Sequence, residues 1–179
     1  MYSYCFEMRV LTIGHGRRTT DELVEALVET GVRTLVDVRR IPFSRRNPQF
    51  DQPAVAAALA AAGFEYRHAE ELGGLRADEP GQERFPCIRV PAFRSYAARM
   101  SRSEWQAALA DVLESPVPCL MCAETPWQRC HRRLISELLV ARGHEVVHVI
   151  RPGEQEPHKP FPSAETRNGE LYLCGERVA

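Results

Sequence analysis

The sequence is almost without lysine: Lys159 is the only one among 23 basic residues, and the rest are arginine. That excludes a phosphate-loop lysine in a GKS or GKT setting and leaves no plausible Schiff-base lysine. Long apolar runs are missing as well, so no stretch spans a bilayer as a helix. The opening residues, MYSYCFEMRV, lack the basic-then-apolar build of a signal peptide, and a cytoplasmic location is expected. Excess charge of either sign is absent. The formal net charge of -1 excludes a global attraction to nucleic acid. Compact cysteine spacing is absent too: Cys5, Cys87, Cys119, Cys122, Cys130 and Cys174 are scattered and are expected to be thiols.

What is present is the composition of a soluble globular protein, 44% hydrophobic and 26% charged over 179 residues, long enough to bury a real core. Residues 9–13 (RVLTI), 34–38 (TLVDV), 64–68 (FEYRH), 118–121 (PCLM) and 145–150 (EVVHVI) read as strands. Between them lie helical patterns. Thr19 or Thr20 caps the first, in which Leu23, Val24, Leu27 and Val28 share a face. Asp51 and Pro53 open an alanine-rich second, and Ser101 with Glu104 forms a capping-box pattern for a later one. Residues 75–91 form a long excursion, expected to be a loop.

Nearly apolar strands alternating with helices predict an α/β fold: a mostly parallel five-stranded sheet with helices on both faces. The domain is expected to cover residues 1–150. Residues 151–162 read as a Pro-rich linker, and Asn168-Gly169 suggests a short hairpin in the tail. In such sheets ligands bind beyond the carboxyl ends of the strands. Polar residues collect at those ends: His15, Asp37 and Arg39, His68 and Glu70, Cys122 and Glu124.

The densest chemistry lies in residues 118–143, PCLMCAETPWQRCHRRLISELLVARG. Cys122 is either an apolar filler or, beside a helix start and arginines, an activated thiol. Glu124 is either a helix-capping charge or a general base. Thr125-Pro126-Trp127-Gln128 resembles a helix cap, which would place Arg129, Arg132 and Arg133 in the first two turns, where cations oppose the helix dipole unless an anion binds there. His131 and Cys130 are either site residues or extensions of the stripe formed by Leu134, Ile135, Leu138 and Leu139. Cys119 and Cys122 lie in one strand run and face opposite sides, so a zinc knuckle is not expected; a site using Cys122, Cys130 and one further residue stays open. Upstream, Arg45, Arg46 and Asn47 form a phosphate-binding type of cluster flanked by Phe43 and Phe50. Tyr96 and Trp127 are core, cover or stacking partners.

TIGHG, LVDVRR, SRRNPQF, ELGG, FRSYAARM and CAETPWQRCHRRLI, in that order, resemble the bacterial family called domain of unknown function 488 over about residues 11–150. The resemblance implies an α/β fold and no particular activity. A fainter likeness is to rhodanese-type sulfurtransferases, through LVDVR, a strand ending in cysteine, and a final GHEVVHV strand. Here, however, Glu124, Pro126 and Trp127 occupy the loop that in those enzymes wraps an anion, and the carboxylate repels one while proline removes a donor. Cys122 and Arg129 are also one residue too far apart for a phosphatase Cys-x5-Arg loop.

The expectation is therefore an enzyme acting on a phosphate-bearing small molecule or nucleic acid, with no cofactor, no metal and no membrane partner. Glu124, His131, Asp37 and Cys122 are the candidate catalytic residues; His15, Arg39, Arg45, Arg46, Asn47, Tyr96 and Arg132 are the candidate binding residues. The alternatives are a non-catalytic nucleotide or nucleic-acid binding module, and a thiol or metal site at Cys122 and Cys130.

Overall fold

In a computed structural model, residues 7–74 and 78–179 are described. Cys5 and the first three residues of the 75–91 excursion lie outside them. The elements run β1 (Arg9–Gly14), α1 (Thr20–Val28), β2 (Thr34–Asp37), α2 (Gln52–Ala61), β3 (Glu65–His68), α3 (Pro91–Arg99), α4 (Ser103–Leu113), β4 (Pro118–Cys122), α5 (Arg132–Ala141) and β5 (Glu145–Arg151). Four short strands follow: β6 (Glu154–Pro157), β7 (Ala164–Arg167), β8 (Glu170–Leu173) and β9 (Glu176–Arg177).

The main sheet has the order β3-β2-β4-β1-β5-β6, and its first five strands are parallel. The count is six, not five, because β6 pairs antiparallel with β5. Residues 154–157 (EQEP) carry no apolar signal, and as an edge strand they need none. β1, β2 and β4 are buried on both faces because helices cover both. Leu11, Ile13, Leu35, Cys119 and Met121 pack with Leu23 and Leu27 of α1 and Val55 and Leu59 of α2. Val10, Val36, Leu120 and Cys122 pack on the opposite face with Tyr96, Trp105, Leu134 and Leu138 of α3, α4 and α5.

Local chemistry sets the helix starts. Thr19 caps α1: its hydroxyl accepts from Glu22 N–H at 3.1 Å, and the Glu22 carboxylate accepts from Thr19 N–H at 2.8 Å. Asp51 precedes α2 as expected, with Pro53 in the first turn, but the remaining two expected caps are not used. Arg102, not Ser101, precedes α4, and Ser101 instead donates its hydroxyl to Ala98 O. Thr125-Pro126 leads only into a single 3-10 turn, Trp127–Arg129, and α5 begins at Arg132. Arg129 is therefore outside the helix.

The tail is a small antiparallel sheet, β7-β8-β9, turning at Asn168 and Gly169, both with positive φ. Leu171, Leu173 and Val178 from this sheet join the core beside α5. Ser136 and Glu137 of that helix are consequently buried too, which its amphipathic pattern did not indicate. Cys87 and Cys174 form a disulfide, so these two are not thiols. Cys119, Cys122 and Cys130 are free. No helix among the described residues is long and apolar enough to cross a membrane.

Candidate functional site

β1 and β4 are neighbours in the sheet, yet the chain leaves them toward opposite faces: β1 leads into α1 and β4 into α5. Such a divergence opens a crevice at the carboxyl ends of the strands. The two exits first run side by side, His15 N–H donating to Cys122 O at 2.9 Å and Gly16 N–H to Ala123 O at 3.0 Å. Gly14 has no room for a side chain, since a Cβ there would lie 2.1 Å from Glu124 O. In the crevice lies a cavity of about 790 Å³ lined by His15, Gly16, Arg17, Ser44, Arg46, Asn47 and residues 123–126. The β1 exit, the loop after β2 and the β4 exit thus meet in one place. No salt bridge among the described residues takes up Arg17 or Arg46.

Behind the cavity wall is a knot built on Asp37. Its carboxylate accepts from Arg39 Nε at 2.9 and 3.1 Å, from Arg39 Nη2 at 2.5 Å and from Tyr66 O–H at 2.8 Å. Arg39 also donates to Phe50 O at 2.7 Å and contacts His15 Nε2 at 3.3 Å. Burial, and then the Arg39 charge, lower the His15 pKa to about 4. The neutral ring donates from Nδ1 to Gly16 O and accepts at Nε2 from Arg39, while Phe50 stacks on it at 4.2 Å.

On the other side of β4, His131 Nδ1 lies 3.8 Å from Cys122 Sγ and 3.7 Å from Cys130 Sγ, and its Nε2–H donates to Val38 O at 3.0 Å. Gly74 presses on the ring: a Cβ there would sit 2.8 Å from Nδ1. Burial opposes ionisation of Cys130, but the hydrogen bond from Cys122 and the Arg132 charge hold its pKa well below the ordinary thiol value. Cys122, bonded to Cys130 and buried, is pushed well above it.

Arg132 is 1% exposed and joins these parts from inside. It donates to Cys130 Sγ at 3.3 Å, to Thr12 Oγ1 at 3.2 Å and to the Glu124 carbonyl. From Thr12 a buried polar chain continues to His148 Nδ1 at 2.7 Å, then from His148 Nε2 to His158 Nδ1 at 3.0 Å. His158 Nε2 lies 3.3 Å from Glu137 Oε1, outside good hydrogen-bond alignment. Trp127 stacks on His148 at 4.0 Å.

The expected site residues are thus distributed over three connected places. His15, Arg46, Asn47 and Glu124 line the cavity. Asp37, Arg39 and Arg132 are buried behind it with their polar groups engaged inside the protein. Cys122 and His131 belong to the cluster with Cys130. Tyr96 is core: it donates to Leu72 O at 2.7 Å, and its ring lies 5.1 Å from His131. Arg45 is exposed and outside the cavity lining. Missed from the sequence were Arg17, Ser44 and Thr125, although Arg17 directly follows the TIGHG strand end. The Thr12–His148–His158–Glu137 chain was missed as well; Thr12 and His148, polar inside nearly apolar strands, were its only signal.

No curated protein and no solved structure matches the chain. A protein-family match covers residues 19–139, and on it the chain belongs to the family described as Domain of unknown function DUF488.

Proposed function

We propose that the protein is an enzyme acting on a phosphate-bearing substrate, a nucleotide or nucleic acid, bound in the crevice between the β1 and β4 exits. The observation that carries this reading is that Arg17 and Arg46 line the same cavity as Glu124. Guanidinium groups present a planar fork suited to phosphate, and Ser44 and Asn47 add uncharged polar groups beside them. A volume of about 790 Å³ is in the usual range for a small-molecule site. Glu124 is the general base, held in place because its own carbonyl is tied to Arg132. Asp37, Arg39 and Arg132 act as framework rather than as phosphate ligands. His131 is assigned no proton transfer to this substrate, since its two nitrogens face Val38 and the cysteines.

The test is a turnover screen on nucleotides and oligonucleotides. Glu124→Gln is expected to lose turnover at least a hundredfold while retaining binding. If it leaves every detected turnover intact, Glu124 is not the base.

The second reading is a binding module without turnover. Phe43, 58% exposed beside Arg45 and Arg46, favours it as a base-stacking platform. It predicts salt-dependent binding of oligonucleotides whose slope flattens when Arg45 and Arg46 are neutralised, with no product formed.

A further inference from the structure

Cys122, Cys130 and His131 bring two sulfurs and an imidazole nitrogen within 4.8 Å of one another. We propose that these three residues bind one divalent transition-metal ion of zinc type through Cys122 Sγ, Cys130 Sγ and His131 Nδ1. The fourth position is left to a water or other outside ligand. This site is separate from the phosphate reading and stands or falls without it.

The histidine is set for the task. Its Nε2–H donates to Val38 O at 3.0 Å, so the neutral ring presents the lone pair of Nδ1 to both sulfurs. Metal-bound histidines are characteristically fixed in this way, the far nitrogen donating to a carbonyl or carboxylate. The distances fit as well. Zinc bonds of about 2.3 Å to sulfur and 2.05 Å to nitrogen imply a sulfur–nitrogen edge of about 3.6 Å in a tetrahedron. The observed edges are 3.8 and 3.7 Å.

Surroundings and donor set agree with the geometry. Cys122 is 6% exposed and Cys130 2%, so the sulfurs are largely withdrawn from bulk solvent. Gly74 closes over the imidazole and allows no side chain there. Two thiolates and an imidazole select zinc-type ions over magnesium or calcium. Arg132 Nε donates to Cys130 Sγ at 3.3 Å and offsets thiolate charge from outside the ligand set. Cys119 takes no part, because it packs on the opposite face of the sheet.

The experiment titrates the full-length, metal-free protein with Co²⁺. The Cys122 and Cys130 thiols are kept reduced and the Cys87–Cys174 bond is verified by mass. Thiolate-to-cobalt charge-transfer absorption is expected to saturate at one equivalent, to be displaced by Zn²⁺, and to protect both cysteines from alkylation. Cys130→Ser and Cys122→Ser are expected to weaken that absorption and lower cobalt affinity at least tenfold, as is His131→Gln, with Cys119→Ser unchanged. No charge-transfer band in the folded, reduced wild-type protein overturns the proposal, and needs no variant to fold. A band that persists with unchanged affinity in Cys130→Ser overturns it too. So does a Cys122–Cys130 disulfide whose reduction yields a protein that takes up no cobalt.

Discussion

His131 donates its Nε2–H to the carbonyl oxygen of Val38, 3.0 Å away. The bond joins the residue preceding α5 to the residue just after β2, the neighbour of β4 in the sheet. It satisfies a carbonyl that would otherwise be lost to the interior, since Val38 is fully buried. His131→Phe, which keeps a ring but removes the donor, is predicted to destabilise the fold by about 1–3 kcal/mol in urea unfolding. A value near zero would mean that the Val38 carbonyl finds another partner.

The Asp37–Arg39 pair is the second structural hinge of the site. Their side chains are 0% and 6% exposed. Removing one member of a buried pair leaves the other charge uncompensated, so Asp37→Asn is predicted to cost about 3–5 kcal/mol. Denaturant midpoints of Asp37→Asn and of Tyr66→Phe, which removes only one hydrogen bond, measure the difference; equal and small losses would show that the pair is not what holds the crevice wall.

Acid should loosen the molecule through its buried imidazoles. Burial, then Arg39, lowers the His15 pKa to about 4; burial, then His158, lowers that of His148 to about 3. Both rings bind protons more readily in the unfolded chain, where the ordinary value is 6.5. Their stabilising effect is therefore complete above pH 6.5 and is lost as pH falls toward 4 for His15 and 3 for His148. Within that window each ring contributes up to about 1.4 kcal/mol of lost stability per pH unit. Unfolding free energy measured against pH in wild type and in His148→Asn should show the shallower slope in the variant. Parallel curves would remove His148 from the acid response.

The Cys87–Cys174 bond ties the tail sheet to the segment before α3, closing a loop across 87 residues. Chain-entropy arguments give such a closure about 4–5 kcal/mol. Cys87→Ser should lower thermal stability and expose the tail to limited proteolysis before the rest of the chain. Unchanged proteolysis would indicate that Leu171, Leu173 and Val178 hold the tail by packing alone.

The parallel core was legible because β1, β2 and β4 are apolar on both sides, as only strands covered on both faces need to be. β6 was not, because EQEP lies at an edge with most of its side chains exposed, while the β7–β8 hairpin was signalled only by its Asn168-Gly169 turn, since AETR is itself mostly exposed. The disulfide had no local signature at all, since pairing is set by how the tail returns over α5. Of the site residues named from the sequence, His15 and Glu124 at the strand ends and Arg46 and Asn47 in the loop after β2 line the cavity. The sequence could not sort the arginines. Arg39 and Arg132 share a residue type with Arg17 and Arg46, and what separates them is burial against Asp37, Thr12 and Cys130. That depends on three-dimensional packing which no spacing rule reports.

The most direct measurement is a crystal structure obtained at high sulfate or phosphate concentration. An anion bound between Arg17 and Arg46 in the β1–β4 crevice, within reach of Ser44 or Asn47 and beside Glu124, is the predicted result. A crevice that stays free of anion while sulfate or phosphate binds elsewhere on the surface would contradict the account.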